Sequence, residues 1–451
     1  MTSEVTPFAF AALLCFMACS IPSAEAKKQW VVGFANMSIS PQVFDNVCLG
    51  GYGECPLCRL AEGVHDDIYA RVMYLNLNGD EVTFVSLDII GMSNRFIADA
   101  IAMMEGVVDT DRVIMSSTHS HSTPDLVALW GWVPESYRSY VLGQVQMAVI
   151  AAKQNAQPAI VKAVQTSFNG TVNVRGWSDT DYGLLAIWAL NAQTNALIGL
   201  VANFGCHPTV LGSSNHLVSR DWVSGLIDGL EETLGSGTSM YVNAAQGDVS
   251  SRAYNGSDDF ERAENYGRSI AAAVLQAMSS EDVLTIDTSA LYFVKTPFRH
   301  CVTNQKFLLM LSIGCMDYDS VTADSTCPAG FPLAVRMFET QLVYLRLGTQ
   351  VQIAVVPGEA LSRLAVDGIG YPGFTNSTAS IKSVMTAPVQ GVWGMSTDFL
   401  GYMVSDDEWN SPPANKNPDN SHYEEGVSLG DAADDWIRDP MKNLILADRD
   451  W

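Results

Sequence analysis

Basic residues are scarce in this chain: 25 Lys and Arg stand against 49 Asp and Glu, a formal net charge of −24. A surface of that sign does not gather nucleic-acid phosphates, and charge alone does not draw it to an anionic membrane. Its acidity bears on solvation more than on a partner. Long apolar runs are scarce too. Past the N-terminus no stretch reaches the ~18 apolar residues of a membrane-spanning helix, so the mature chain is expected to be soluble. There is no Gly-x-Ser-x-Gly elbow, which disfavours an α/β-hydrolase. No internal repeat is visible. Cys55-Pro56-Leu57-Cys58 has half the spacing of a zinc knot, but no second Cys/His pair matches it. Histidine is rare, seven in all, so any cluster of them is informative.

Apolar residues are plentiful. At 48% of 451 residues they supply a substantial core and exclude disorder. The length would accommodate about two or three domains, but the chemistry-bearing loops run from residue 118 to residue 402, which favours one large domain over residues 27–451. Residues 1–26 read as a signal peptide. Pro7 to Pro22 is mostly apolar, and Ala24-Glu25-Ala26 gives a small-x-small cleavage pattern before Lys27-Lys28. The leading segment carries Glu4 and no Lys or Arg, so a buried first helix or a lipoprotein anchor at Cys19 are the competing readings. Secretion, or export to a periplasm in a bacterium, is the expectation. Once Cys15 and Cys19 are removed with the leader, Cys206 reads as a buried free thiol. Cys48, Cys55, Cys58, Cys301, Cys315 and Cys327 then make three disulfides of undetermined pairing.

One pattern recurs five times: an apolar, strand-like run ends abruptly in a polar loop. Val113-Ile114-Met115 leads to Thr118-His119-Ser120-His121, and Leu197 to Phe204 leads to Cys206-His207-Pro208. Met240-Tyr241-Val242 leads to Gln246-Gly247-Asp248-Val249-Ser250, and Ile353 to Val356 leads to Pro357-Gly358-Glu359. Val389 to Trp393 leads to Asp398-Phe399-Leu400-Gly401-Tyr402. Reactive groups of α/β sheets gather at strand carboxyl ends, so these five loops are expected to form one site. Residues 30–60 look irregular. Asn78-Gly79-Asp80 joins two strand-like runs as a hairpin turn, and helices are expected over Asn94–Glu105, Tyr137–Ala156, Arg220–Leu234 and Phe260–Met278. Hairpins mixed with single helices imply an α/β fold with a mixed β-sheet layered with helices. Asp406 to Ser421, rich in Pro and Asn, reads as an insertion or lid beside the site.

The chemistry follows from the residue types. In a strand, His119 and His121 would share a face, His207 ends another strand, and Glu359 follows a wholly apolar run where a carboxylate must be paired or metal-bound. Two histidines and a glutamate suit catalytic zinc, which keeps a position open for water. Zinc lowers the pKa of a bound water to ~7 and polarises carbonyls. Gly247 permits the sharp turn that would expose Ser250, although an ordinary Asp248 turn explains the same residues.

Seven segments in order resemble the motifs of the neutral (non-lysosomal) ceramidases. They are Thr118 to Ser122, Asn203 to Thr209, Ser219-Arg220-Asp221, Gln246 to Ser250, Gly358-Glu359, Gly401-Tyr402 and His422-Tyr423-Glu424. The likeness runs from about Ala70 to about Gly430. It implies one zinc per chain, held by His119, His207, Glu359 and Tyr402. It further implies that His121 bonds substrate or the reacting oxygen, Ser250 is the catalytic serine, and Arg175 and Tyr423 lie in the active site. The reaction implied is hydrolysis of the N-acyl amide of ceramide or a related N-acylated lipid to a sphingoid base and a fatty acid, with transient membrane-surface contact. Either Ser250 or a metal-activated water would be the nucleophile.

There are departures from the family. The early glycine- and methionine-rich motif is altered near Gly33-Phe34-Ala35-Asn36, and Ser122-Thr123-Pro124-Asp125 replaces the residues expected after His121. Ser251-Arg252 follows Ser250 in place of the usual proline and asparagine, and Gly176-Trp177 follows Arg175 in place of Ser-Pro. A C-terminal immunoglobulin-like domain is not expected. A zinc esterase or deacylase for a more polar substrate, and an inactive lipid- or surface-binding protein of the same fold, are the alternatives. Trp130, Trp132, Trp177 and Trp409 are candidates to line an apolar groove.

Overall fold

Two β-sheets stacked face to face carry the five loops, with helices covering both outer faces. The computed structural model describes Met1 and residues 28–176, 180–235, 237–330, 332–369, 379–409 and 423–448. The signal-peptide segment, Trp177, His422 and most of the Asp406–Ser421 segment therefore lie outside the described residues. Only its start, the short helix Asp406–Trp409, is described.

The larger sheet runs, edge to edge, Thr238–Asn243, Leu197–Phe204, Gly183–Asn191, Gln157–Ser167, Trp30–Ser38, Tyr69–Leu77, Asp80–Leu87 and Val113–Ser117. Its centre is antiparallel, and its two outermost pairs are parallel. The smaller sheet runs Leu291–Val302, Arg336–Leu347, Val351–Val355 and Val389–Trp393, again with a parallel pair last. The sheets are mixed, as expected. All five apolar runs are strands, and each is a member of one of these three parallel pairs.

Alternation along the strands assigns the layers. Met73, Leu75 and Leu77 pack between the sheets with Val343, Leu345, Ile353 and Trp393, while Ala70, Val72 and Tyr74 face the helix Glu135–Gln154. Likewise Leu185 and Ile187 turn inward, and Leu184, Ala186 and Trp188 pack on the helices Trp222–Leu234 and Asp259–Met278. The helices Gln305–Ser312 and Asp439–Ala447 cover the smaller sheet through Phe307, Leu308, Met441 and Ile445 against Phe338 and Tyr344. At roughly 25 cal/mol per Å² of apolar surface removed from water, these three interfaces are the main stabilising term.

Asn78 and Gly79 both have positive φ, the geometry of a two-residue hairpin turn, and join Tyr69–Leu77 to Asp80–Leu87 as expected. The expected helices are present as Asn94–Met103, Glu135–Gln154, Trp222–Leu234 and Asp259–Met278.

Residues 30–60 are not irregular. Trp30–Ser38 is a central strand, paired on both sides. Gly33 lies on it beneath a helix, where a Cβ would fall 1.9 Å from the Ala152 carbonyl oxygen. Cys48–Glu54 and Leu57–Leu60 form a hairpin. Three disulfides form, Cys48–Cys58, Cys55–Cys315 and Cys301–Cys327, so Cys55 and Cys58 are not zinc ligands. Cys206 is a buried free thiol whose ionisation burial opposes. Among the described residues no helix is long and apolar enough to cross a membrane.

Candidate metal centre

The strand ends converge because short backbone ladders join their loops. Glu359 and Tyr402 are register partners in a two-residue parallel pair, and the Glu359 N–H donates to the Gly401 carbonyl at 2.9 Å. His207 and Ser250 form a parallel bridge, with the His207 N–H donating to the Val249 carbonyl at 2.9 Å. The Gly247 N–H reaches the Ala360 carbonyl at 2.9 Å, and the His121 N–H the Pro208 carbonyl at 3.2 Å. Asp248, fully buried, accepts from the Ser362 N–H at 2.7 Å, its hydroxyl at 2.8 Å and Asn173 Nδ2 at 2.6 Å. It pins the serine loop.

His119 and His121 do not converge through strand alternation. The strand ends at Ser117, and His119 adopts a left-handed φ of 68°, an uncommon and strained state for a residue with a Cβ. That turn brings His121 Nε2 to 3.2 Å from His119 Nε2.

Three further contacts close the ring. His207 Nε2 is 3.0 Å and His119 Nε2 3.4 Å from Glu359 Oε2, and the Tyr402 hydroxyl is 3.4 Å from His207 Nε2. On their far sides, His119 Nδ1 is 2.6 Å from the Ile90 carbonyl oxygen and His207 Nδ1 3.1 Å from that of Val249. Each Nδ1–H donates to a carbonyl, which leaves an Nε2 lone pair facing the carboxylate. Lone pairs of that kind repel unless a cation, a proton or a metal ion, lies between them. Four ligands about 2.0–2.1 Å from a tetrahedral zinc stand about 3.3 Å apart, close to the spacings here. The residues present fit a metal.

His119, His121 and His207 offer nitrogen atoms within 4.8 Å of one another. His121 differs from the other two: its Nδ1 is buried without a hydrogen-bond partner, and its ring stands edge-on to Tyr52, centroids 5.2 Å apart. Burial, with the neighbouring His119 and His207, pushes its pKa well below the usual histidine value. Burial opposes protonation of His207 too, but the hydrogen bond and charge of Glu359 raise it. Burial works against ionised Glu359, yet His119 and His207 hold it well below the usual carboxylate range. For Tyr402, burial and then the Glu359 charge push the phenol well up.

His119, His121 and Glu359 of the ring line a cavity of about 290 Å³, together with Tyr402 and Tyr423. Leu129, Trp130, Phe307, Met310, Phe399 and Val427 give it an apolar wall. Trp130 thus lines the cavity as expected. Trp132 lines a neighbouring surface cleft, and Trp409 is not among the cavity's lining residues. Gly51 and Tyr52, from the disulfide-tied hairpin, close one side. Gly51 has φ +93° and a Cβ there would lie 2.4 Å from the His121 ring, so only glycine fits. Gly51, Gly53 and Gly401 are the glycines that line the cavity, and Gly33 is not among its lining residues. Arg59, buried behind Tyr52, donates to the carbonyls of His121, Gly50 and Asn215 and binds this hairpin to the histidine loop. Gly51, Tyr52 and Arg59 escaped sequence reasoning; the one available signal was the density of Cys and Gly around them.

The remaining candidates are placed unequally. Ser250 is half-buried and one backbone bridge from His207. The Tyr423 ring is 5.9 Å from that of Tyr402. Arg175 is engaged by carboxylates, with Nη1 2.7 Å from Glu424 Oε2, Nη2 2.9 Å from Glu425 Oε1 and Nε 3.9 Å from Glu408 Oε1. It is not among the residues lining the cavity.

Fold and site together define an α/β protein with a buried histidine–carboxylate ring suited to a metal. Its structural relatives are neutral ceramidases. The crystal structure of neutral ceramidase from Pseudomonas aeruginosa superposes with a TM-score of 0.69 at 14% identity, over 93% of this chain and 74% of that one. A ceramidase complexed with C2 gives 0.65 at 14% identity over the same shares. In sequence, neutral ceramidase of Drosophila pseudoobscura pseudoobscura is 24% identical over 245 residues, 48% of this chain. The match spans about a third of that relative, 34%. No family model matches the chain. The chain has the fold of the neutral ceramidases in a sequence that diverges widely from theirs.

Proposed function

We propose that this chain is a secreted amidase that hydrolyses the N-acyl bond of ceramide or a related N-acylated lipid, with one zinc ion held by His119, His207, Glu359 and Tyr402. The observation that carries the reading is the ring itself: lone pairs and a carboxylate converge at 3.0–3.4 Å beside an apolar-walled cavity. Likeness to ceramidases in fold supports the substrate class. The apolar wall of Leu129, Trp130, Phe307 and Met310 supports a lipid over a polar substrate. Three disulfides support an oxidising compartment.

His121 is assigned to the substrate and not to the metal, because no carbonyl fixes its tautomer as Ile90 and Val249 fix those of His119 and His207. When bound, zinc would supply Lewis acidity and a water of lowered pKa. His121 and Tyr423 orient the amide and donate to the charge that develops on its oxygen, a role worth several kcal/mol where donors are preorganised. Ser250 is the candidate serine nucleophile. Arg175 acts by positioning: it holds the segment that carries Tyr423 through Glu424 and Glu425.

The test is fatty-acid release from a short-chain ceramide, with and without a zinc chelator, beside Ser250→Ala. Turnover that the chelator and the substitution both abolish supports the amidase. Stoichiometric zinc without turnover removes ceramide as the substrate, and neither zinc nor turnover leaves a lipid- or surface-binding protein of this fold.

A further inference from the structure

The hairpin of Cys48–Glu54 and Leu57–Leu60, the loop from Trp130 to Trp132 and the helix Gln305–Ser312 wall the cavity. These elements, and the turn that follows the helix, also turn large apolar side chains outward. Leu57 is 84% exposed, Ile313 55%, Leu309 49% and Trp132 46%. The four are neighbours in space. Leu309 and Ile313 lie one helical turn apart, the Ile313 N–H donating to the Leu309 carbonyl at 3.1 Å. Trp132 donates its indole N–H to the Gly314 carbonyl at 3.3 Å. The Cys55–Cys315 disulfide brings the hairpin of Leu57 against the end of the same helix, and the Cys48 N–H donates to the Trp132 carbonyl at 3.2 Å. Scattered surface apolar residues need no explanation, but a contiguous group beside a cavity marks an interaction site.

We propose that Leu57, Trp132, Leu309 and Ile313 dock the protein onto the surface of a zwitterionic lipid bilayer, with the cavity mouth facing the membrane. The proposal rests on the reading of the cavity as an N-acyl-lipid site. A bilayer is the favoured occupant because the patch sits on the same elements whose Trp130, Phe307 and Met310 give the cavity its apolar wall. Its makeup, aliphatic side chains and an indole whose N–H is bonded at its polar end, suits the boundary between acyl chains and headgroups. The net charge of −24 opposes anionic headgroups, which leaves zwitterionic ones.

The test is flotation of the full chain with phosphatidylcholine vesicles, wild type beside the triple variant Leu57→Ser, Leu309→Ser, Ile313→Ser. Wild type is expected to float, and the variant to bind roughly tenfold or more weakly, since each side chain loses much of its transfer free energy. Melting temperature and hydrolysis of a soluble short-chain N-acyl substrate are expected to stay as in wild type. Leu57→Lys, at the most exposed position, repeats the test if the triple variant loses its fold. Failure of wild type to float, equal binding by a folded variant, or a wild-type dimer that the variant dissociates would each overturn the proposal. The last outcome would assign the patch to a second copy. Binding is read without turnover, so an inactive protein that floats refutes the amidase and not the docking surface.

Discussion

His119 Nδ1 lies 2.6 Å from the carbonyl oxygen of Ile90, and this contact aims Nε2 at the ring's centre. The resulting convergence of acceptors requires a cation. Metal analysis of the purified protein is expected to find one zinc per chain, and His207→Ala or Glu359→Ala to lose it. Chelation is expected to lower the melting temperature, since a ligand at a thousand times its dissociation constant stabilises by about 4 kcal/mol. Protein that carries no metal and melts alike with and without chelator would refute the centre.

Arg175 is buried among Glu408, Glu424 and Glu425. Burial disfavours its charge, but these carboxylates outweigh it and raise the guanidinium pKa. Arg175→Met strands buried carboxylates and is expected to destabilise the fold by about 3–5 kcal/mol. Arg175→Lys is expected to recover part of that stability, and to raise KM more than it lowers kcat by loosening Tyr423. Thermal melts with steady-state kinetics check both; a Met variant as stable as wild type contradicts the clasp.

Asp398 is buried, and burial raises its carboxyl to about 7 even though the Phe399 N–H and the Tyr318 hydroxyl bond it. Because the folded pKa lies above the unfolded one, the folded state binds the extra proton. The stability this contributes is complete below about pH 4 and is lost as pH rises through about 7. Asp398→Asn, which keeps the shape without the charge, is expected to flatten the fall in melting temperature between pH 4 and 7. An unchanged slope would place that dependence elsewhere.

Cys55–Cys315 ties the hairpin bearing Gly51 and Tyr52 to the segment that follows Phe307 and Met310, across a sequence separation of 260. Replacing both cysteines with serine is expected to cost about 2–5 kcal/mol. It should also weaken substrate binding more than turnover, because two sides of the cavity lose their tether. Calorimetry and KM on one preparation test the two effects separately.

Much of the fold was legible because its signals are local. Apolar runs cut off by polar loops mark strands at Val113–Ser117 and Val351–Val355, and a 3.6-residue period marks the helix Asp259–Met278. The strand Trp30–Ser38 and its neighbouring hairpin were missed. The hairpin is short and bulged, and two disulfides help hold it in place.

The sequence by itself determined the mixed α/β class, the loops in which His119, His207 and Glu359 stand, and the six cysteines that pair. Tertiary structure alone decided which atoms meet. The left-handed turn at His119, the Arg59 knot behind Tyr52 and the capture of Arg175 by carboxylates up to 250 residues away depend on contacts that no local period encodes. A strand announces itself through side chains two residues apart. A site forms only when packed sheets bring distant strand ends to a common edge.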